Sequence, residues 1–89
     1  MDMRKLVGRN FGRLRREKGF TQERFAEVSG MTQQYISDLE RGRRNPTVVT
    51  LFHLASALGV SHVALVTPDD EFETSSKSGS ERKPTRGRG

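Results

Sequence analysis

The sequence predicts a small all-α domain of five helices followed by a disordered polar tail. Three observations predict it. Glycine recurs at positions 19, 30, 42 and 59, each after a stretch of helical periodicity, where a left-handed residue just past a helix end is expected. No stretch alternates apolar and polar residues as a half-buried strand does. Apolar residues also nearly stop at Val66: 27 of the first 66 residues are apolar, and beyond them only Phe72 is. Residues 67–89 therefore bury too little surface to offset the entropy of ordering them.

The elements follow in order. A first helix over 3–18 carries Val7, Phe11 and Leu14 on one face and closes at Gly19. The second, over 22–29, begins with a hydrophobic staple, Phe20 and Phe25 flanking the cap Thr21, and turns Phe25, Ala26 and Val28 inward. Met31, Thr32 and Ile36 repeat that pattern and open a third helix over 33–41, with Ile36 and Leu39 inward. Asn45-Pro46-Thr47 starts the fourth, over 48–58, since Pro46 biases Asn45 away from helix and Thr47 can cap. Its inward face is Leu51, Leu54, Ala55 and Leu58. A third staple, Val60-Ser61-Leu65, opens a short fifth helix over 62–66 that presents Val63 and Val66. So small a domain must bury nearly every apolar stripe, which leaves functional residues on the polar faces.

Composition removes several classes of function. With no cysteine there are no disulfides, zinc knuckles or thiol nucleophiles, and two histidines without a carboxylate cluster make no metal site. No nucleophile-base pair, paired carboxylates or phosphate-binding glycine loop supports an enzyme. No cofactor is implied. The most apolar stretch, 48–66, is interrupted by Thr50, His53, Ser56, Ser61 and His62, short of the roughly 18 apolar residues of a membrane span. The opening residues do not read as a secretory signal, so a cytoplasmic location is expected. The formal charge of +5 lies entirely in residues 1–66, because five cations and five carboxylates cancel in the tail. Such an excess suits a polyanionic partner, although it also suits plain solubility.

The residues that suggest a use lie between Thr21 and Arg41. Two helices joined through Ser29-Gly30-Met31 are too closely connected to pack side by side, so they must cross steeply in a helix-turn-helix. The second of them then stands proud of the domain. With Ile36 and Leu39 inward, Gln33, Gln34, Ser37 and Asp38 or Arg41 face out. Gln can offer adenine N6 and N7 an acceptor and a donor together, and Ser can contact any base edge.

Residues 21–66 carry Thr21-Gln22-Glu23, Ala26, Gly30, Ile36, Leu39-Glu40-Arg41-Gly42, Asn45-Pro46, Leu51 and Ala57-Leu58-Gly59-Val60-Ser61. This combination resembles the helix-turn-helix domains of phage repressors, Cro and related bacterial regulators (XRE-like). The resemblance implies a compact five-helix repressor/Cro-like domain over residues 1–66 that binds double-stranded DNA to regulate transcription, as a repressor or autoregulator. It implies that Gln22 begins its helix against a phosphate and braces Gln33, and that Gln33, Gln34 and Ser37 read bases. Thr32 caps the recognition helix and can touch a phosphate, since a helix N-terminus attracts anions. Tyr35 can meet a phosphate or a thymine methyl, or simply cover the helix. Asp38 near DNA must either accept from a cytosine N4 or pair with Arg41. Arg41, Arg43, Arg44 and Asn45 follow the recognition helix where a DNA backbone would run. Glu40 sits in a last helical turn, where the macrodipole disfavours its charge. Arg15 is the family's usual partner for it, in a pair that would fix how the helices meet.

One such domain reads only a few base pairs, so a homodimer on a near-palindrome is expected. In this family the fourth-helix end and the fifth helix often serve, which here offers Val60, His62, Val63 and Val66. Val63 and Val66 could equally complete the monomer core. The tail, acidic over 67–76 and basic after Lys77, reads as a flexible DNA-directed arm or as a solvated segment with no specific role. The competing function is an antitoxin or anti-activator that works mainly through protein-protein binding.

Overall fold

The computed structural model describes residues 2–68. The polar tail expected over 67–89 lies, after Pro68, outside the described residues. Five helices are present: α1 (Met3–Glu17), α2 (Gln22–Ser29), α3 (Gln33–Glu40), α4 (Val48–Leu58) and α5 (Val63–Val66). No strand is found among the described residues. Helix ends differ from expectation by a single residue at α1, α3 and α5, within the fraying of any helix terminus.

Three of the helices, α2, α3 and α4, are capped where the sequence placed their caps. The hydroxyls of Thr21, Thr32 and Thr47 accept from the backbone N–H of Arg24, Tyr35 and Thr50 at 3.0, 3.0 and 3.1 Å. Ser61 accepts from Val63 N–H at 3.2 Å, and Asp2 accepts from Arg4 N–H at 3.0 Å to start α1. Gly42, at φ +77°, closes α3 in a Schellman motif, its N–H bonding the Leu39 carbonyl at 3.1 Å and that of Arg43 bonding the Asp38 carbonyl at 2.9 Å. That turn brings the chain back over α3.

Phe11, Phe25, Ile36, Leu39, Leu54 and Leu65 are fully buried and tie all five helices into one core. Phe25 meets Phe11 edge-on at 5.0 Å and Phe20 at 5.7 Å between ring centroids. Two expected core positions are corrected. Val28 is 45% exposed, because Phe25, Ala26 and Ser29 define the buried side of α2 and Val28 lies off it. Val63 is 53% exposed, because α5 is a single turn and Leu65 is the side chain it sends inward. Leu6 is buried instead, on an α1 that packs against both α3 and α5. Leu51 and Val66 are partly buried at the core's edge.

α1 and α3 approach closely through two glycines one turn apart. A Cβ at Gly8 would overlap the Leu39 carbonyl oxygen and lie 3.0 Å from that of Glu40. At Gly12 it would lie 3.2 Å from the Glu40 carboxylate. Both sit inside a helix, where glycine is disfavoured by about 1 kcal/mol, so the close approach is what they supply.

Asn10 fastens the other side of α1. It is fully buried, and its Nδ2 donates to the Leu65 carbonyl at 2.9 Å and the Thr67 carbonyl at 3.0 Å, satisfying the end of α5. Asn10→Ala leaves both acceptors without this donor and should cost about 2–4 kcal/mol, from about 1–3 kcal/mol for each buried group left unpaired. Urea denaturation monitored by circular dichroism measures it. A loss below about 0.5 kcal/mol would show that the end of α5 does not depend on this clasp.

Candidate nucleic-acid interface

The recognition segment is built from α2, the turn through Gly30, Met31 and Thr32, and α3. Gly30 is left-handed at φ +79°, and Ser29 Oγ accepts from Met31 N–H at 3.3 Å, so the turn is held from within. From α4, the His53 ring nitrogen Nε2 lies within hydrogen-bonding distance, 3.0 Å, of the Ser29 carbonyl. Ile36 and Leu39 are buried completely, which fixes the rotation of α3 and decides its outward face.

An ion-pair network sets its tilt. Arg15 Nε donates to Glu40 Oε2 at 2.6 Å and Nη2 to Oε1 at 3.3 Å, while Nη1 donates to the Phe20 carbonyl at 2.5 Å. The two side chains are only 10% and 13% exposed. Gln22 Nε2 donates to Glu40 Oε1 at 3.2 Å. One carboxylate at the end of α3 therefore holds the end of α1 and the start of α2. The resemblance implies that Gln22 braces Gln33; in the structure its amide nitrogen donates to Glu40, because the crossing of α2 and α3 brings the start of one against the end of the other.

Gln33 and Gln34 are exposed on α3, Ser37 is half-buried and Thr32 caps the helix with its side chain at the surface. Arg41, Arg43, Arg44 and Asn45 follow, and all four lie at the surface of the connection. Asp38 is paired internally, but not with Arg41. Its Oδ1 accepts from Gln34 Nε2 at 2.9 Å and its Oδ2 from Arg44 Nη2 at 3.5 Å, leaving the carboxylate side chain 17% exposed. The Schellman turn is the reason, since it folds Arg43 and Arg44 back along the helix. The Arg44 guanidinium also stands 5.2 Å from the Tyr35 ring centroid, a cation–π distance. Burial raises the Tyr35 hydroxyl pKa, with Arg44 opposing that shift. The Gln34–Asp38 pairing is legible as an i,i+4 spacing. The Arg44 contacts are not, since they depend on the path of the turn.

At the far end of α4 and α5, His62 and Val63 are exposed, while Val60 and Val66 pack partly against the core. Phe52 is 61% exposed with its ring 6.2 Å from that of His62, and Val48 and Val49 are exposed on the same helix as Phe52. Among the described residues there is no cluster of metal-binding side chains. No helix among them is long and apolar enough to cross a membrane.

The helix-turn-helix family model matches residues 12–65, a span that contains α2, α3, α4 and the Arg15–Glu40 pair. The chain belongs to the helix-turn-helix family. It is 75% identical over 71 residues to an HTH-type transcriptional regulator of Sinorhizobium fredii, covering 80% of this chain and 92% of that one. Among solved structures it is similar to a hypothetical transcription factor from Neisseria, with TM-score 0.77, 33% identity and coverage of 82% and 84%. It is also similar to SinR, the master regulator for biofilm formation, in complex with DNA, with TM-score 0.64, 31% identity and coverage of 68% and 98%. This chain is a transcriptional regulator with a helix-turn-helix DNA-binding domain, of the type the sequence resembles.

Proposed function

We propose that this regulator binds a near-palindromic operator as a homodimer, placing α3 in the major groove so that Gln33, Gln34 and Ser37 meet base edges. The observation that carries the reading is the division of α3: Ile36 and Leu39 are wholly buried, and the opposite face holds two exposed glutamines, directly followed by the surface arginines Arg41, Arg43 and Arg44. A helix anchored in this way is rigid enough to present side chains to a groove, and the arginines sit where phosphates would flank it. Thr32 and Tyr35 adjoin the same groove edge, and Asn45 ends the basic segment. In this reading Gln22 reaches DNA only secondarily, since its amide serves Glu40. The family supports repression or autoregulation as the outcome.

Selection of fragments from a random DNA pool tests it. Two half-sites about one helical turn apart are expected, and enrichment of no sequence would sink the reading. Arg43→Ala should weaken binding to all sequences alike and flatten the log-log salt dependence by about 0.9, the value for one phosphate contact. A base-specific loss would instead place Arg43 in the groove.

For the partner copy, the exposed His62 and Val63 with Phe52 beside them form the apolar surface that suits a second protomer. Val60 and Val66, partly covered by the core, would frame it. Val63→Glu should leave the monomer folded, shift sedimentation toward the monomer and lower operator affinity at least about tenfold, because a buried unpaired carboxylate is costly at an interface. Unchanged sedimentation would move the interface elsewhere.

A further inference from the structure

Resting on α3 as the base-contacting helix, we propose that Asp38 is a positioning residue that fixes which end of the Gln34 amide faces the DNA, and thereby makes Gln34 select an amino-bearing base over a keto-bearing one.

An ionised carboxylate can only accept hydrogen bonds. With Asp38 Oδ1 2.9 Å from the Gln34 amide nitrogen across one helical turn, one of the two amide N–H groups is engaged by the carboxylate, which holds the nitrogen end toward Asp38 and favours presenting the oxygen end elsewhere. The chemistry of the pair, not the shape of the side chain, assigns the two ends of the amide. Asp38 is itself held in place, because its second oxygen takes Arg44 at 3.5 Å and its side chain is only 17% exposed. Arg44 is in turn stationed against the Tyr35 ring. The arrangement therefore exists in the DNA-free protein, with no groove needed to impose it.

Its consequence is a polarity. With Nε2 engaged by Asp38, Oε1 is the end of the Gln34 amide left to accept from a base edge. In the major groove adenine N6 and cytosine N4 are donors, whereas guanine O6 and thymine O4 are acceptors that would face Oε1 unfavourably. At the base Gln34 contacts, adenine or cytosine should thus be preferred over guanine or thymine. An unanchored glutamine has no such bias, since its amide can turn to suit either class. The same role accounts for a carboxylate being kept on a DNA-facing helix. Its charge is partly offset by Arg44, and its use is to orient a neighbour.

The test compares base preferences of the full chain and of the variants D38N, Q34A and Q34A/D38N, by selection from a random DNA pool with thermal unfolding of each protein in parallel. The amide introduced by D38N can donate as well as accept, so this variant frees the Gln34 amide to turn. In the native chain one position of each half-site should favour amino over keto bases by about tenfold. In D38N that ratio should fall below about threefold while the other positions keep their preferences and the unfolding temperature stays within a few degrees. In the Q34A background, D38N should change nothing at that position. If the native chain enriches an operator but D38N returns the same preferences at every position, the inference is overturned and the reading of the function stands. If D38N still alters that position without Gln34, Asp38 contacts the base itself and positioning is overturned. If the native chain enriches no sequence, the reading of the function fails and the inference falls with it.

Discussion

Arg15→Ala is expected to cost about 3–5 kcal/mol of folding stability and to weaken DNA binding in parallel. The reason is what the substitution strands. Glu40, 13% exposed and in the last turn of α3, would keep, among the described residues, the Gln22 amide as its hydrogen-bond partner, with the negative end of the helix dipole against it. The Phe20 carbonyl would lose its donor as well. A domain of this size holds about 0.05–0.15 kcal/mol per residue, so the loss takes a large part of its stability. Two companion variants separate charge from packing. Glu40→Gln keeps hydrogen-bond acceptance without the charge and should lose less, about 1.5–3 kcal/mol. Replacing both residues together by apolar ones of similar volume should recover much of the loss, since a buried pair adds little net stability over well-packed carbon. Chemical denaturation and operator binding on the same preparations measure both effects. Unchanged unfolding in Arg15→Ala would show that the pair does not hold the helices.

The second large effect is at Gly8. Alanine in mid-helix ordinarily stabilises by about 1 kcal/mol over glycine, so propensity alone predicts a gain from Gly8→Ala. A loss of about 3 kcal/mol is expected instead, at the upper end of what overpacking a well-packed contact costs. The added methyl would overlap the Leu39 backbone carbonyl, and backbone cannot move without separating α1 from α3 and dragging the buried Leu39 with it. Gly12→Ala is the control. There the neighbours are the Glu40 carboxylate at 3.2 Å and the Arg16 guanidinium at 3.3 Å, side-chain ends that can give by a few tenths of an ångström. Its cost should stay within about 1 kcal/mol of zero, with the propensity gain offsetting the crowding. Thermal and urea unfolding of the two variants side by side measure the difference. Equal effects at the two positions would rule out the close approach at Gly8.

Both predictions concern residues whose importance a linear reading weights differently. Glu40 is conspicuous in the sequence because a carboxylate at a helix C-terminus needs a cation, and its partner Arg15 comes through family resemblance, 25 positions away along the chain. Gly8 and Gly12 escape notice, because the glycines that stand out in a sequence are those that end helices. Nothing in the residues around Gly8 signals that another helix will arrive there.

The same division runs through the whole molecule. The helices and their order follow from local residues, since caps at Thr21, Thr32 and Thr47 and left-handed glycines at 30, 42 and 59 act through hydrogen bonds spanning only a few residues. So does the buried side of α3, because Ile36 and Leu39 are the apolar residues on it and a small domain must cover them. The exposed face with Gln33 and Gln34 followed from that. The contacts between distant segments arise from the packed fold: Asn10 on the end of α5, Gln22 on Glu40, Arg44 on Asp38 and Tyr35, and Leu65 rather than Val63 in the core. Each depends on where a helix crosses or a turn leads. Those angles are set by the packing of the entire core, to which every stripe contributes at once, so they cannot be read from any one stretch of chain.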